Sequence, residues 1–360
     1  MTLKNNMNVM QSSLFSVPKV SKFPSTRYQG SKLKYVDWIW NCIKDLEFNT
    51  ALDAFGGTSV VAYKMKKNGK KVTYNDILKF NHIIGKALIE NDEELIDGDD
   101  LDFILKKHSD ILYPDFIEKT FVDTYFTDDE NRWLDMVVTN IKLIDNEYKR
   151  AMAYFALFQS CIIKRPYNLF HRKNLYIRFQ EVKRSFGNKV TWDTPFDVHF
   201  KKFIEEANNA VFENKNENKS INKSIAEVEN TFDLVYIDTP YISENGVGLN
   251  YMDFYHFLEG IVNYDNWHHI IDYKSKHRRL QLTESGWSKK EKIEKSFEEL
   301  IKQFKDSILV ISYRSDGIPS IDRIKEILVK NGKVVTVHES KEMKYVLSIK
   351  RSSEILIVAK

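Results

Sequence analysis

Cysteine is scarce in this chain, whose 360 residues include only Cys42 and Cys161, far apart in the sequence. Two cysteines cannot build a disulfide framework or a cysteine-rich zinc cluster. Cys161 lies in the apolar run FALFQSCII, which favours a core position over the position of a catalytic nucleophile. The adjacent His268 and His269 have no cysteine or acidic partners at metal-ligand spacing, so no metal site is expected.

Long apolar runs are also missing. No stretch approaches the roughly 18 apolar residues that a membrane-spanning helix needs, and the polar N-terminus has no apolar signal core. We therefore expect a soluble protein of a reducing cytoplasm. The 54 Lys and Arg nearly balance the 51 Asp and Glu, so the net charge of +3 identifies no partner and the distribution of charge must be examined instead.

Two nucleotide-binding motifs are absent as well. The chain lacks G-x-G-x-x-G, which argues against a dinucleotide cofactor, and it lacks G-x-x-x-x-G-K-[ST], which argues against a phosphate-binding P-loop.

A strand-helix-strand pattern is nevertheless present near the N-terminus. TALDAF (50–55) is typical of a short buried strand and is followed by Gly56 and Gly57. SVVAYKMKKNG (59–69) predicts a helix that ends at a glycine, and KKVTYND (70–76) predicts a second strand with an acid at its end. This is the βαβ half of a nucleotide-binding sheet.

Further strands are predicted in the C-terminal part of the chain. FDLVYID (232–238) and SILVISYR (307–314) are strand-like, and IDRIKEILVKNG (321–332) is an amphipathic helix. KVVTVHE (333–339) and SEILIVAK (353–360) are expected to pair as an antiparallel hairpin.

We therefore expect an α/β fold with a Rossmann-like sheet domain formed by residues 23–91 and 216–360. A mostly helical domain, residues 92–215, is inserted into it, and residues 1–22 form a flexible polar arm. Charge is segregated within the insert: residues 91–130 contain 14 Asp or Glu and three Lys, whereas residues 164–190 contain eight Lys or Arg and one Glu.

The acid at the end of the second strand indicates the type of ligand. A carboxylate at this place, Asp76, can accept hydrogen bonds from two ribose hydroxyls. Since the phosphate-binding motifs are missing, a ribose-bearing cofactor with few phosphates is expected, and S-adenosylmethionine (SAM) fits.

The sequence FDLVYIDTPY places a carboxylate, Asp238, at the end of another predicted strand. Alone, D-T-P-Y is an ordinary turn, but after a strand of such a sheet it points into the ligand crevice. An amino group on adenine or cytosine is a poor nucleophile, and two acceptors can aim its lone pair at a methyl donor. Asp238 and the carbonyl of Thr239 supply two acceptors, Pro240 fixes the turn, and Tyr241 can stack on a base turned out of a duplex.

Four motifs in this order carry a family resemblance: RYQGSK (27–32), LDAFGGTS (52–59), YND (74–76) and DTPY (238–241). Together they resemble the adenine-specific DNA methyltransferases of the DNA adenine methylase type, in which the recognition region precedes the catalytic motif. The resemblance covers about residues 25–90 and 215–360. It implies catalytic roles for Asp238, Thr239, Pro240 and Tyr241. The residues then expected at SAM are Tyr28, Lys32, Asp53, Phe55, Gly57, Asp76 and Asp238.

Two positions depart from the family pattern. Thr239 stands where the family more often has proline. The expected acceptor at this position is the main-chain carbonyl and not the side chain, so we expect the enzyme to remain active. Asn222 stands where the family often has an acid that touches the adenine of SAM.

Two basic segments, residues 164–190 and YKSKHRRLQL (273–282), are candidates for DNA contact. Lys and Arg bind phosphates, while Arg, Asn and Gln can read base edges. A solvated basic face is the alternative interpretation. The candidates are Arg165, Asn168, His171, Arg172, Lys173, Asn174, Arg178, Lys183 and Arg184 in the first segment, and Lys276, Arg278 and Arg279 in the second.

The sequence thus predicts a site-specific, monomeric methyltransferase acting on adenine N6 in double-stranded DNA. It is expected to be the modification half of a restriction-modification pair, with a cognate endonuclease, or a solitary bacterial methylase. Three alternatives stay open at this point: methylation of cytosine N4, methylation of adenine in RNA, and a DNA-binding relative without activity.

Overall fold

The computed structural model describes residues 21–181, 189–240, 242–243, 248–281, 285–340 and 353–360. Its strands are β1 (Thr50–Asp53), β2 (Lys71–Asn75), β3 (Lys219–Ile221), β4 (Leu234–Ile237), β5 (Ile242–Ser243), β6 (Ile308–Arg314), β7 (Gly317–Ile318), β8 (Val335–Glu339) and β9 (Glu354–Ala359). The helices of the first half are α1 (Val36–Ile43), α2 (Val60–Lys67), α3 (Lys79–Gly85), α4 (Gly98–Leu105), α5 (Phe116–Thr120), α6 (Asp128–Lys142) and α7 (Glu147–Ile163). Those that follow are α8 (Tyr176–Phe179), α9 (Lys189–Asp193), α10 (Phe196–Ala210), α11 (Tyr251–Val262), α12 (Trp267–Ile270), α13 (Lys290–Gln303) and α14 (Ile321–Lys330).

Seven strands form the central sheet in the order β3-β2-β1-β4-β6-β9-β8. The pairs from β3 to β6 are parallel, whereas β9 is antiparallel to both β6 and β8. The chain leaves β1 toward β2 on one side, and β4 lies on the other side. Because the strand order reverses between β1 and β4, a ligand crevice is expected outside their carboxyl ends.

The sheet is covered on both faces, and alternate residues along each strand serve different hydrophobic clusters. Val310 and Leu356 join the cluster that includes α3, α7 and α10. Leu309, Ile311 and Ile357 join the cluster that includes α13 and α14. This explains why the strands are nearly continuous apolar runs, as is usual for a sheet buried on both sides.

The inserted segment contains helices α4 to α10 within its described residues, and local capping signals start three of them. Asp97 forms a capping box with Asp100 at the start of α4. Thr127 forms a capping box with Glu130 at the start of α6, and Asn146 caps α7 through its side chain. The apolar helices α7 and α10 pack into the same cluster as the sheet. The hydrophobic core is therefore continuous across the domain boundary expected at residue 92, and the boundary itself stays a prediction.

The predicted α/β class with a Rossmann-like sheet is confirmed, and so is the antiparallel pairing of the last two strands. Most of the expected arm, residues 1–20, lies outside the described residues. Ser21 is buried and the backbone N–H of Lys22 donates to the carbonyl of Asn209, so these two residues belong to the packed structure. Among the helices of the described ranges, none is long and apolar enough to cross a membrane.

Candidate active site

A cavity of about 460 Å³ opens at the carboxyl ends of β1, β2 and β4, where the switch in strand order places the crevice. Eight residues proposed from the sequence share this one cavity as part of its wall: Tyr28, Lys32, Asp53, Phe55, Gly57, Asp76, Asp238 and Pro240. Thr239 is buried beside them, with a hydroxyl that has no hydrogen-bond partner within the described part of the chain. Tyr241 lies outside the described residues.

The glycine turn after β1 brings the main chain against β2. A Cβ atom on Gly56 would lie 2.0 Å from the ring of Tyr74, and Gly57 has φ +50, so neither position readily takes a side chain. The Tyr74 hydroxyl donates to the Gly57 carbonyl at 2.7 Å. The turn is thereby fixed with its backbone at the cavity wall.

Asp76 is tied to this turn by hydrogen bonds. Its Oδ2 accepts from the N–H of Gly57 at 3.0 Å and from Asn81 at 3.1 Å, and its Oδ1 accepts from the N–H of Leu78 at 2.8 Å. A carboxylate has about four acceptor positions, so Asp76 has room for one further hydrogen bond rather than the two expected from the sequence. Burial raises its pKa to about 6.

Asp53, at the end of β1, is the least satisfied of the cavity carboxylates. Its Oδ2 accepts from the N–H of Ala62 at 3.3 Å, while its buried Oδ1 has no partner among the residues that the structure describes. Burial raises the pKa of Asp53 to about 8, and the charge of Asp238 adds to the effect. A buried carboxylate of this kind favours a proton or a positively charged ligand.

Tyr28 forms one wall of the cavity within a stack of three tyrosines. Its ring lies parallel to those of Tyr255 and Tyr251, with centroids 4.6 Å and 5.5 Å away. Its hydroxyl accepts a hydrogen bond from Asn81, which also holds Asp76. The N-terminal motif is thereby packed against α11, the helix that follows the catalytic segment.

Lys32 contacts two carboxylates. Its Nζ lies 2.9 Å from Oδ1 of Asp238 and 3.3 Å from Oε1 of Glu354, which also accepts from the hydroxyl of Ser312 at 2.6 Å. Burial alone would lower the pKa of Lys32, but Asp238 and Glu354 outweigh it and hold that pKa well above its usual range. Burial raises the pKa of Asp238 to about 6, although Lys32 opposes this. The sequence interpretation did not include Glu354.

Other parts of the wall were also missed from the sequence. Trp287 meets the ring of Phe55 edge-on, with centroids 5.1 Å apart, and contacts Phe297 at 5.3 Å. Residues 223–225 and 249–252 also line the cavity. No local motif marks these residues, because long-range packing brings them to the cavity.

Asn222 is not part of the lining. Its side-chain amide donates to the carbonyls of Asp76 and Ile77 at 2.7 Å and 2.9 Å. It therefore supports the backbone after β2, and the cavity wall nearby is formed by Lys223, Ser224 and Ile225 instead.

The family model of the D12 class N6 adenine-specific DNA methyltransferases matches residues 28–317. The chain belongs to this family. The match begins at Tyr28 in the cavity wall and ends before Glu354.

Individual relatives agree with the family match. Type II methyltransferase M2.HphI of Haemophilus parahaemolyticus is 30% identical over 333 residues, which cover 89% of this chain and 91% of the relative. Type II methyltransferase M.NlaIII of Neisseria lactamica is 23% identical over 320 residues, covering 85% and 88%. Type II methyltransferase M.FokI of Planomicrobium okeanokoites is 26% identical over 326 residues, covering 85% of this chain but 47% of that protein.

This N6-adenine methyltransferase carries exposed cations on both basic segments. Arg172, Lys173 and Lys276 are exposed, and Lys173 pairs with Asp123 at 2.9 Å. The exposed rings of Tyr167, Tyr176 and Phe179 lie on the first segment. Partly exposed candidates are Asn168, His171, Arg278 and Arg279.

Three predicted DNA contacts need correction, because the side chains are buried in the methyltransferase. Arg165 is 1% exposed, and its guanidinium donates to the carbonyls of Leu169 and Arg172. Arg178 donates from both terminal nitrogens to Glu130, at 2.7 and 2.8 Å. The third, Asn174, is also buried. These residues shape the first basic segment from inside, and Lys183 and Arg184 lie outside the described residues.

The two basic segments of the methyltransferase meet at Tyr125. Its hydroxyl lies 2.6 Å from the carbonyl oxygen of Phe170 and 2.7 Å from that of His277. Helix α11 adjoins both segments: the N–H of Phe170 donates to the carbonyl of Phe254, and Asp253 lies 3.4 Å from His277. Since the first turn of α11 also lines the cavity, the basic surface and the cavity are parts of one region.

Proposed function

We propose that this methyltransferase transfers a methyl group from S-adenosylmethionine to N6 of an adenine turned out of double-stranded DNA. The observation that carries the proposal is the single cavity that unites the expected cofactor residues with Asp238 and Pro240. A cofactor and a target base must meet within bonding distance, and one cavity of about 460 Å³ at the strand switch point meets that need.

The charges in the cavity support SAM as the methyl donor. SAM, when bound, supplies a methyl group on a positively charged sulfur and carries an ammonium group. Asp53 offers a cationic group a buried oxygen that has no hydrogen bond to any described residue, and Asp76 retains room for one hydroxyl hydrogen bond. Tyr28 and Phe55 offer ring surface, and the backbone at Gly57 allows close approach.

Asp238 is the proposed acceptor for the amino group of the adenine. Lys32 contacts its Oδ1, which leaves Oδ2 to accept an N–H of the base, and the carbonyl of Thr239 is proposed to accept the other. Together they aim the nitrogen lone pair at the methyl group. The raised pKa of about 6 also suits Asp238 to take up a proton that the amino group releases. Tyr241 is proposed to stack on the base.

DNA is proposed to bind over the joined basic segments. Arg172, Lys173 and Lys276 would contact phosphates, and Asn168, His171, Arg278 and Arg279 lie near enough to the surface to assist. A base turned out of this duplex would reach the cavity beside the first turn of α11. Part of the binding free energy would offset the cost of unstacking the base.

The biological setting is also a proposal. The relatives' names describe Type II methyltransferases, which supports a place in a restriction-modification system with a cognate endonuclease. A monomer acting in the cytoplasm stays the expectation. The cytosine-N4, RNA and inactive alternatives have no specific observation in their favour.

The direct test is transfer of tritium from labelled SAM to unmethylated plasmid DNA, followed by nucleoside analysis. We expect label in N6-methyladenine. Label found only in N4-methylcytosine, or only on RNA, would contradict the proposal. Long-read sequencing of DNA from cells that express the protein would then give the recognition sequence.

A further inference from the structure

Glu354 is a fully buried carboxylate at the first residue of the last strand. Because β9 runs antiparallel to β6, this first residue pairs with Arg314 at the carboxyl end of β6. It therefore lies at the same edge of the sheet as Asp238. Its Oε1 lies 3.3 Å from Nζ of Lys32 and accepts a hydrogen bond from the Ser312 hydroxyl at 2.6 Å.

Lys32 is consequently held from two sides. The ammonium, on a residue that is 6% exposed, lies between Glu354 and Oδ1 of Asp238. A lysine ammonium is a compact charge on a flexible stem, so Asp238 alone would not fix which of its two oxygens the ammonium contacts. Glu354 attracts the ammonium from the second side and so holds it at Oδ1.

We propose that Glu354 is a positioning residue for methyl transfer, which anchors Lys32 on Oδ1 of Asp238 and so keeps Oδ2 available to the target amino group. This inference rests on the proposed role of Asp238. Glu354 itself contacts neither substrate nor cofactor in this proposal and acts through Lys32.

A purely structural role is the competing explanation. In that case Glu354 would do no more than secure β9 to Ser312 and Lys32. Removing it would lower the melting temperature, while the folded fraction would keep its kcat and its pH dependence.

The test substitutes Glu354→Gln in the full chain, with single-turnover and steady-state methylation of a plasmid substrate. We expect kcat to fall by about 10- to 100-fold, the range for losing a hydrogen bond to a charged group, with little change in the KM for SAM. The conservative Ser312→Ala removes the donor to Glu354 but keeps every charge, so its kcat should fall by only about 2- to 10-fold. This second variant keeps the test valid if Glu354→Gln does not fold.

The pH profile gives a second readout. Among the described residues, the charged and titratable groups that face Asp238 are Lys32, Glu354, Tyr236 and Asp53. Activity requires ionised Asp238, and the negative charge of Glu354 opposes that ionisation. In Glu354→Gln the acid limb of kcat should therefore move to lower pH.

Controls separate the possible failures. Asp135→Asn removes another buried carboxylate, which accepts from the N–H groups of Ile117 and Glu118 in the insert, and should leave kcat unchanged. If Asp238→Asn stays active, the proposed function of the site is wrong. If Asp238→Asn is inactive while Glu354→Gln retains the wild-type kcat and acid limb, the positioning role alone is wrong.

Discussion

Two buried groups of charges differ in how completely they are balanced. In the insert, Glu130 lies 2.9 Å from Lys164 and 2.7 Å from Arg178, so one carboxylate has two cations. In the cavity, Asp53 has an oxygen that no described residue contacts with a hydrogen bond, and Asp238 shares the ammonium of Lys32 with Glu354.

The pKa values follow this difference. Burial raises the pKa of Glu130, but Arg178 and Lys164 outweigh burial and hold it below its usual value. In the cavity burial prevails, and it raises the pKa of Asp53 to about 8 and that of Asp238 to about 6. In the insert, Glu130 is balanced by its two cations, and the three side chains form a completed structural centre. The cavity retains negative charge that a positively charged ligand can balance.

The largest expected effect comes from removing Asp238, the carboxylate proposed to orient the reacting amino group. Asp238→Ala should lower kcat by on the order of 1,000-fold, because an acceptor that orients the reacting nitrogen is lost. Single-turnover transfer from tritiated SAM measures it. Circular dichroism should show an unchanged fold, and a fully active variant would refute the proposed site.

In the insert, the corresponding change should affect stability instead of catalysis. Glu130→Gln leaves Lys164 and Arg178 buried without a countercharge, which should cost about 3 kcal/mol of unfolding free energy in urea. The exposed Glu299, paired with Lys295 at 3.6 Å, is the matched control, and Glu299→Gln should cost less than about 0.5 kcal/mol.

The pH dependence of the unfolding free energy also tests the role of Glu130. Since the folded pKa of Glu130 is depressed, its contribution is fully present above the unfolded pKa and is lost as pH falls through the folded pKa. The Glu130→Gln variant should lack this part of the acid dependence. Equal stability losses for Glu130→Gln and Glu299→Gln would remove the distinction between a completed centre and a surface pair.

Asp53→Asn should change stability and ligand binding in opposite directions. With a folded pKa of about 8, Asp53 keeps a proton that the unfolded chain loses above about pH 4. Stability should therefore fall as pH rises from about 4 to 8, and the variant should lose this slope in melting temperature. Above about pH 8, where Asp53 is ionised, SAM should bind the variant about tenfold more weakly by calorimetry, because a charge-assisted contact is lost. If the melting temperatures of the variant and the wild type change with pH in the same way, Asp53 is ionised in the folded protein and this prediction is wrong.

The smallest effects are expected on the surface, where charges are neither buried nor balanced internally. Arg172→Ala and Lys276→Ala should each reduce the slope of log K against log salt for DNA binding by about 1, with unchanged melting temperatures. Lys330→Ala, on the exposed part of α14, is the control and should leave the slope unchanged. If Arg172→Ala and Lys276→Ala show the same salt slope as the control Lys330→Ala, DNA does not bind at the proposed surface.

The sequence could predict the cavity because its parts obey local rules. Asp53, Asp76 and Asp238 each end a parallel strand, and such ends meet at one edge of the sheet. Glu354 stands at the beginning of a strand, so the rule about strand carboxyl ends does not identify it. Its place becomes visible only when β9 is known to run antiparallel to β6.

The buried arginines were unpredictable for a related reason. A run of cations in sequence does not reveal which of them face inward. Arg165 is enclosed by the rings of Tyr125 and Phe170, and Arg178 by its pairing with Glu130. These partners come from distant positions or from the turn of a loop, so composition alone suggests a surface charge for both.

The contact between Lys32 and Glu354 also has a consequence for the order of folding. It joins residues near opposite ends of the described chain, and contacts between such distant residues carry a high loop-closure cost and tend to form late. The βαβ half around Asp53 and Asp76 can assemble from nearby residues, but the environment of Asp238 is complete only after β9 has docked. Methyl transfer should therefore appear after most of the secondary structure during refolding, which makes activity a sensitive reporter of the last step.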